Sequence, residues 1–267
     1  NECYKIMTGA IFPNGADTVV MIENEKLDKN GDLIVPLDTP PNNARKITGE
    51  EIKSGELLLS KNSTLTPANI MLLAAQGISY VNVIKKPKIA IFSSGNEIYE
   101  PWDSCDTLSV YNANGFGIMA ALSQNGFESE YKGVLKDQIS TIKEALESCI
   151  NYDIIITSGG ASKGEADYMS EVLDLLGFKM LFNSIDARPA KPTKCYKKGD
   201  KFIFVLPGNP MSCLLATYIT VLPLTKKLAG FSEFLPQMQI AKFKGNLKFK
   251  ANRANIVIGT AKNGEFR

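Results

Sequence analysis

The sequence predicts an α/β fold with a parallel-rich sheet, and three observations support this. From Pro87 onward, apolar runs of strand length alternate with amphipathic runs of helix length. Strands separated by helices of roughly 10 to 15 residues are typical of βαβ units, whose helices cover both faces of a parallel sheet. The run DIIITS, which begins at Asp153, has an apolar, β-branched centre of three isoleucines, as in a central strand. We therefore expect a three-layer αβα domain.

The elements of this domain follow one another in a regular order. KIAIFSSG is a predicted strand, ANGFGIMAALSQNG a helix, ESEYKGVLKD a strand and QISTIKEALESC a helix. DIIITSGG, ADYMSEVLDLLG and KMLFNS continue the pattern as strand, helix and strand. KCYKKGDKFIFVLPG then predicts a hairpin that turns at Lys198, Gly199 and Asp200.

Changes in composition and hydrophobic pattern divide the chain into four regions. Residues 1–55 contain short β-like runs, TVVMIE and LIVPL, between turn signals, and predict part of a small β-rich domain. Residues 56–86 contain a helix that Thr66 or Pro67 can start and Gly77 can close. Residues 87–232 form the α/β domain, and residues 233–267 alternate lysines with apolar residues, as at the start of a second small β-domain.

Composition excludes several classes of function. The chain has 267 residues, a net charge of +2 and no histidine. The small net charge gives no basic field for nucleic acid, and the missing imidazoles exclude Ser-His-Asp triads and His-ligated zinc. The five cysteines have no C-x-x-C spacing, which favours buried or idle thiols of a reducing cytoplasm.

Two further segments bear on location. The apolar run PMSCLLATYITVLPL is too short and too polar to span a bilayer, so it predicts a buried helix and no membrane association. The opening residues NECYKIMTGA do not resemble a signal peptide, and we expect the chain to be a fragment of a longer polypeptide.

Three predicted strands end in glycine turns, and these are the candidate ligand-binding loops. The turns are SSGNE, TSGGASKGEAD and LPGNP. Ligands of open parallel sheets bind beyond the carboxyl ends of the strands, so all three turns should lie on one edge. Glycine lets backbone amides approach an oxyanion, and a following helix N-terminus adds positive charge. Phosphate is the expected ligand, although each turn alone could be a simple chain reversal.

Acidic residues beside these turns suggest a cation as well. Glu97, Asp137, Glu165 and Asp167 all fall near predicted strand ends, where anion binding gains nothing from carboxylates. Oxygen ligands beside phosphate suit Mg²⁺. Helix capping is the alternative explanation for Asp137 and Asp167, because helices are predicted to begin there.

A proline-stiffened loop, ARPAKPT, supplies cations for anion binding. It presents Arg188 and Lys191 directly after a predicted strand, and the fixed φ of proline lowers the entropy cost of presenting them. A solvated rigid loop is the alternative. The sequence has neither the G-x-x-x-x-G-K-[ST] pattern of a P-loop nor a dinucleotide-binding G-x-G-x-x-G after the first strand.

Taken together, these motifs resemble a known family. GGASKGEADY is similar to the G-G-x-S-x-G-E-x-D-Y signature of the molybdopterin-binding fold. With IMTGAIFPNGAD, TLTPANIMLLAAQGI, SSGNEI, the RPAKP loop and LPGNPMS, the chain resembles the molybdopterin molybdenumtransferases, which include the E domain of gephyrin. The resemblance implies an elongated multidomain homodimer that inserts molybdate into adenylated molybdopterin and releases AMP.

The resemblance also implies a role for individual residues. The cofactor-binding residues would include Gly159, Gly160, Ser162, Gly164, Pro207, Gly208 and Pro210, of which the first three would contact the pterin phosphate or its Mg²⁺. The catalytic residues would be Asp167, Glu97 and Asp137, together with Thr8 and Glu51. Asp167 and Glu97 would hold the metal. The molybdate pocket would comprise Arg188, Lys191, Pro192 and Ser212, with Arg253 helping to close it. Thr8 and Glu51 would act in the partner subunit's site, which lies at the dimer interface.

The sequence departs from the family pattern at four positions. Asp is usual where Glu51 and Asn96 stand, Gly where Ala190 stands and a second Arg where Ile258 stands. Two other functions remain open from the sequence. A molybdopterin adenylyltransferase shares the GGxSxG domain, and a non-catalytic pterin-binding scaffold could use the same loops to anchor other proteins. Further molybdenum cofactor synthesis proteins are expected partners.

Overall fold

The computed structural model describes residues 2–159, 165–245 and 254–266, and only the backbone of residues 165–167. The chain divides into two compact units, Asn1–Ser79 and Tyr80–Arg267. The four regions expected from the composition and hydrophobic pattern of the sequence remain a prediction.

The first unit contains one α-helix and little other regular structure among its described residues. Helix α1 spans Pro67–Ala75 and begins with a capping box, because Thr66 Oγ1 accepts from the Asn69 amide and the Asn69 side chain accepts from the Thr66 amide. Gly77, at φ +73°, follows the last turn. The predicted helix start and end are therefore both confirmed.

The strands predicted in residues 1–55 are wrong. The TVVMIE run enters a 3₁₀ turn at Ile22–Asn24, and the LIVPL run contributes only an isolated bridge between Leu27 and Leu33. A strand is stabilised by a hydrogen-bonded neighbour, and the described part of this unit provides no other pairing for these short runs. The β-like composition therefore did not produce strands.

The second unit is built on a six-stranded sheet. Its strands are β1 (Ile89–Ser94), β4 (Glu130–Leu135), β5 (Ile154–Ser158), β6 (Lys179–Phe182), β8 (Lys194–Lys198) and β9 (Lys201–Leu206), and their spatial order is β4-β1-β5-β9-β8-β6. The first four strands in this order are parallel, whereas β8 and β6 are antiparallel to their neighbours. The predicted parallel-rich sheet and hairpin are confirmed.

Helices cover both faces of this sheet. They are α2 (Asn114–Gln124), α3 (Ile139–Ser148), α4 (Glu165–Leu175), α5 (Pro210–Ala216) and α6 (Leu222–Leu228), with a π-helical turn, Thr217–Val221, joining the last two. No helix in the described part of the chain is long and apolar enough to cross a membrane.

The alternation of side chains along the strands creates two cores. Ile91 and Ile156 pack with residues of α2 and α5 on one face, and Phe92 and Ile155 pack with residues of α3 and α4 on the other. Because both faces are buried, these strands are buried at every position and are apolar up to the serines and threonine at their carboxyl ends. The three-layer αβα architecture is therefore confirmed.

Small pairings of two residues each surround the main sheet. β2 (Ile98–Tyr99) pairs with β3 (Val110–Tyr111), and β7 (Ala187–Arg188) pairs with β11 (Ala254–Asn255). β10 (Lys242–Phe243), β12 (Ala261–Lys262) and β13 (Glu265–Phe266) form a three-stranded sheet. The segment after Gly230 thus contains short strands among its described residues, although residues 231–241 form none, and its assignment to a second small β-domain remains a prediction.

Candidate functional site

The carboxyl ends of the four parallel strands meet at one edge of the sheet. β1 ends at Ser94, β5 at Ser158 and β9 at Leu206, and the glycine turns follow directly. Gly159 donates its amide to the carbonyl of Leu206 at 3.1 Å, which ties two of these turns together. The prediction that all three turns share an edge is confirmed for their described residues.

A cleft of about 280 Å³ lies at this edge. It is lined by the ends of β1 and β5, the start of α2 and the LPG turn. The lining residues are Ser93, Ser94, Glu97, Ile98, Val110, Tyr111, Asn112, Ala113, Asn114, Ser158, Gly159, Gly208 and Pro210. Four predicted site residues, Glu97, Gly159, Gly208 and Pro210, are among them.

The glycine at position 159 is required by close packing. Its φ is +98°, and a Cβ atom there would lie 2.1 Å from the carbonyl oxygen of Ser94. Gly208 lies against it, with 3.8 Å between its ideal Cβ position and the Cα atom of Gly159. Three backbone segments therefore converge at the cleft, and the approach of Gly159 to Ser94 is possible only because residue 159 carries no side chain.

The LPGNP turn is fixed from two sides. Asn209 caps α5, since its Oδ1 accepts from the amide of Ser212 at 3.1 Å and from its hydroxyl at 3.3 Å. Asn114, in the first turn of α2, donates through Nδ2 to the carbonyl of Gly208 at 2.8 Å. Pro207 is buried within the same turn. The turn thus holds a fixed position beside the cleft.

The loops after β1 and β4 are joined by a reciprocal pair of hydrogen bonds. The Asn96 amide donates to Asp137 Oδ2, and the Asp137 amide donates to Asn96 Oδ1, both at 3.2 Å. Helix α3 begins after Gln138, which makes no side-chain capping bond. Helix capping therefore does not explain Asp137, whose carboxylate instead connects two strand-end loops.

A buried polar cluster that the sequence did not predict lies under the cleft. Asn112 is 3% exposed and Ser93 2% exposed, and their side chains are hydrogen bonded at 2.7 Å. Tyr131 and Glu100 complete the cluster, with 2.6 Å between the tyrosine hydroxyl and Glu100 Oε1. Burial, together with the bond to Glu100, raises the pKa of Tyr131. Serines at the ends of apolar strands, and the YNAN run before α2, were the available signals.

The proline-stiffened loop forms next to β7. Arg188 lies on β7, opposite Asn255 of β11, and its carbonyl accepts from the Ile256 amide at 2.9 Å. The Ile185 amide donates to the Lys191 carbonyl at 2.9 Å, which closes the loop. Arg188, Lys191 and Pro192 are exposed, and none of them is among the described residues that line the cleft.

Ala190 occupies the centre of this loop in an unusual conformation. Its φ is +96° and it is 2% exposed, and its carbonyl accepts from Thr193 Oγ1 at 2.7 Å. Left-handed φ values favour glycine, and the family resemblance placed a glycine at this position. The backbone at residue 190 therefore keeps a conformation suited to glycine although the residue is alanine.

The other predicted residues lie apart or outside the description. Thr8 and Glu51 belong to the first unit, where Glu51 forms an ion pair with Lys46. Gly160, Ser162, Gly164 and Arg253 lie outside the described residues, as do the side chains of Glu165 and Asp167. Among the described residues, no group of three or more acidic or cysteine side chains forms a metal cluster.

The fold and the cleft define a ligand-binding α/β domain whose site is built from strand-end loops. Residues 90–227 match the family described as "Probable molybdopterin binding domain", and residues 1–77 match "MoeA N-terminal region (domain I and II)". The chain belongs to this molybdopterin-binding family, and its resemblance to the molybdopterin molybdenumtransferases is confirmed.

Individual relatives agree with this assignment. A molybdopterin molybdenumtransferase of Staphylococcus aureus (strain Mu50) is 34% identical over 242 residues, which is 89% of this chain and 57% of the relative. The protein of the same name from Staphylococcus epidermidis is 31% identical, covering 96% of this chain and 60% of the relative. The chain thus spans about three fifths of the length of these relatives.

A solved structure is similar over nearly the whole chain. The molybdopterin biosynthesis moea protein from Pyrococcus horikosii has a TM-score of 0.76 and 30% identity. The match covers 97% of this chain and 64% of that one. The fold described above is therefore the fold of this relative over the shared region.

Proposed function

We propose that this protein acts in molybdenum cofactor biosynthesis as a molybdopterin molybdenumtransferase. It would insert molybdate into adenylated molybdopterin and release AMP. The observation that carries the proposal is the convergence of the SSG turn, the Ser158–Gly159 strand end and the LPG turn on one cleft, in a chain of the molybdopterin-binding family. The names of the relatives from both staphylococci support it.

The residues of the cleft would bind and position the adenylated pterin. Glycine turns with closely packed backbone leave space for a phosphate, and the N-termini of α4 and α5 point to the same edge as the strand ends. With the substrate held, cleavage of the phosphoanhydride bond needs mainly positioning and charge stabilisation. AMP is the leaving group of that cleavage.

A magnesium ion would fit the oxygen donors on these loops. Glu97 lines the cleft, and Asp137 lies on the neighbouring loop, where it accepts from Asn96. Asp167 would complete the set from the start of α4. Bound Mg²⁺ would neutralise phosphate charge, and hard oxygen ligands are those it prefers.

Molybdate would bind at the RPAKP loop. Arg188 and Lys191 are exposed cations on a loop closed by the Ile185–Lys191 backbone bond. Pro192, Ser212 and Arg253 would complete the pocket. Two anions must approach one another in the reaction, so cations on this loop would offset their repulsion.

The assembly implied by the family would bring further residues to the site. We infer a homodimer in which Thr8 and Glu51 reach the partner subunit's cleft, and a cytoplasmic location with other molybdenum cofactor synthesis proteins as partners. Neither nucleic acid nor a membrane is an expected partner, consistent with the net charge of +2.

The test is release of AMP from adenylated molybdopterin with Mg²⁺, in the presence and absence of molybdate. We expect molybdate-dependent release, and a Lys191→Ala variant should need a higher molybdate concentration. Lys179→Ala is the matched control, because Lys179 is an exposed lysine at the first residue of β6. Absence of molybdate-dependent release would overturn the proposal.

Two further measurements, ATP consumption and a pull-down of protein partners, separate the alternatives. An adenylyltransferase would consume ATP and produce adenylated molybdopterin. A scaffold would retain its protein partners in a pull-down and show no turnover. Asp167→Ala should abolish AMP release while leaving protein partners bound, if the enzyme assignment holds.

A further inference from the structure

The hydrogen bonds of the buried cluster under the cleft have fixed directions, and Asn112 sets them. Its Nδ2 donates to the hydroxyl of Tyr131 at 2.7 Å and to Glu100 Oε2 at 3.2 Å. Its Oδ1 accepts from the amide of Gly115 at 3.1 Å. Because a backbone amide can only donate and a carboxylate accepts, the side-chain amide of Asn112 cannot reverse.

The orientation of Asn112 fixes the direction of the next two bonds. Ser93 Oγ lies 2.7 Å from Asn112 Oδ1, so the Ser93 hydroxyl must donate to it. Ser158 Oγ lies 3.3 Å from Ser93 Oγ and donates to it in turn. A hydroxyl has one proton, so Ser158 offers the cleft only its lone pairs.

Two other side chains that line the cleft carry acceptor oxygens. Asn114 Oδ1 is buried without a hydrogen-bond partner among the described residues, and its Nδ2 is already committed to the carbonyl of Gly208. The carboxylate of Glu97 lines the same cleft. A buried acceptor without a partner carries a desolvation cost, which a ligand donor would remove.

We propose that the Asn112–Ser93–Ser158 chain makes the cleft select the hydrogen-bond-donating, uncharged part of its ligand. Under the proposed function, on which this inference rests, that part is the pterin ring with its amino and ring N–H groups. The anionic phosphate then lies outside this acceptor-lined part of the cleft, toward the glycine turns and the helix N-termini. Ser93 and Asn112 act as positioning residues because they set the direction of the Ser158 hydroxyl.

The inference predicts a preference between two ring systems. Pterin carries an amino group at position 2, whereas lumazine carries a carbonyl oxygen there. Calorimetric titration of the protein should show pterin binding roughly tenfold more tightly than lumazine, since a missing donor leaves buried acceptors unpaired. Inorganic phosphate at millimolar concentration should not displace pterin.

Variants of the serines test the proposed direction. Ser93→Ala frees the Ser158 proton to donate to a lumazine carbonyl, so the preference should fall to about threefold or less. Ser158→Ala should weaken pterin binding more than lumazine binding. Ser170→Ala is the matched control, because Ser170 pairs with Tyr196 on β8 and should leave the preference unchanged.

The outcomes separate this inference from the proposed function. Equal binding of the two rings, binding of neither, or an unchanged preference in Ser93→Ala would overturn the inference even if AMP release is observed. A clear pterin preference that collapses in Ser93→Ala, in a protein without AMP release, would support the inference and overturn the transferase assignment.

Discussion

A Cβ atom on Gly159 would lie 2.1 Å from the carbonyl oxygen of Ser94. This relationship joins the ends of β5 and β1, which are neighbouring parallel strands. The contact is too short for any side chain, so the two strand-end loops can approach only because residue 159 is glycine. The geometry of the cleft therefore depends on one missing methyl group.

The first prediction concerns this contact. Gly159→Ala should lower the free energy of unfolding by about 3 kcal/mol or more, because the methyl forces backbone movement in addition to strain at φ +98°. Gly133→Ala is the control, since Gly133 has φ +103° but no atom within 4 Å of its ideal Cβ position. The Gly133→Ala substitution should lower the free energy of unfolding by about 1–2 kcal/mol. Guanidinium unfolding measures both, and equal losses would show that the contact with Ser94 does not matter.

The second prediction concerns the alanine in the RPAKP loop. Ala190→Val should destabilise the protein by about 2–3 kcal/mol, because a β-branched residue is strained at φ +96° in a buried position. Ala187→Val, on the short strand β7, should change stability by only about 0.5 kcal/mol or less. The free energy of unfolding in urea is the measurement.

Ala190→Gly tests the same strain from the other direction. Relief of the φ strain is offset by the greater freedom of glycine in the unfolded chain, about 0.5–1 kcal/mol, and by loss of a buried methyl, about 0.8 kcal/mol. We expect a net change within about 1 kcal/mol. A stability loss similar to that of the valine variant would argue against backbone strain at this position.

The strands and helices of the α/β domain could be predicted because each is buried in a recognisable pattern. β1 and β5 are buried at every position and begin with apolar runs, because both of their faces pack against helices. The pairings of β2 with β3 and of β7 with β11 could not be predicted, since two residues give no periodicity. In residues 1–55, local β-propensity indicated strands for which the described unit provides no partner.

The site could be predicted only in part, for a related reason. Gly159 and Gly208 stand out because glycine turns after apolar strands are visible in the sequence. Asn112 and Tyr131 come together only through the parallel pairing of β1 with β4 and the packing of α2 above them. The strand-end serines and the YNAN run show that polar residues are present but not that they meet, so this part of the site required the structure.

The third prediction concerns Asn96, where the family resemblance placed Asp. Asn96→Asp would set a second carboxylate beside Asp137, to whose amide Asn96 Oδ1 is bonded at 3.2 Å. We expect Mg²⁺ to bind roughly fivefold more tightly, equivalent to about 1 kcal/mol of added attraction. Without Mg²⁺ the variant should be destabilised by up to about 1 kcal/mol through like-charge repulsion. Calorimetric titration with MgCl₂ measures the first effect, and unfolding with and without Mg²⁺ measures the second.

The matched control for this charge change is Asn151→Asp. Asn151 is exposed and lies just before β5, at the opposite edge of the sheet from the cleft. It should leave Mg²⁺ affinity unchanged. If both variants bind Mg²⁺ equally well, the Asn96–Asp137 loops are not part of a cation site.

The last prediction concerns the thiols. Burial raises the pKa of Cys195 and of Cys213 to about 12, and it also raises the pKa of Cys149. These three thiols stay protonated at pH 8, and thiolate is the reactive form. A disulfide reagent at pH 8 should therefore modify exposed Cys3 and half-buried Cys105 quickly, and the other three only after denaturation. Rapid reaction of more than two thiols in the folded protein would contradict the packing described here.

The same pKa shifts predict how stability depends on pH. An unfolded thiol ionises near pH 9, whereas folded Cys195 and Cys213 remain protonated up to about pH 12. Above pH 9 the folded state therefore binds more protons than the unfolded state, so the contribution of each thiol is complete below pH 9 and is lost as the pH rises toward 12. Each buried thiol can remove up to about 1.4 kcal/mol per pH unit in that range. Cys213→Ala should accordingly show a shallower loss of unfolding free energy between pH 9 and pH 11 than the unmodified protein, and an identical slope would show that this thiol ionises without cost in the folded state.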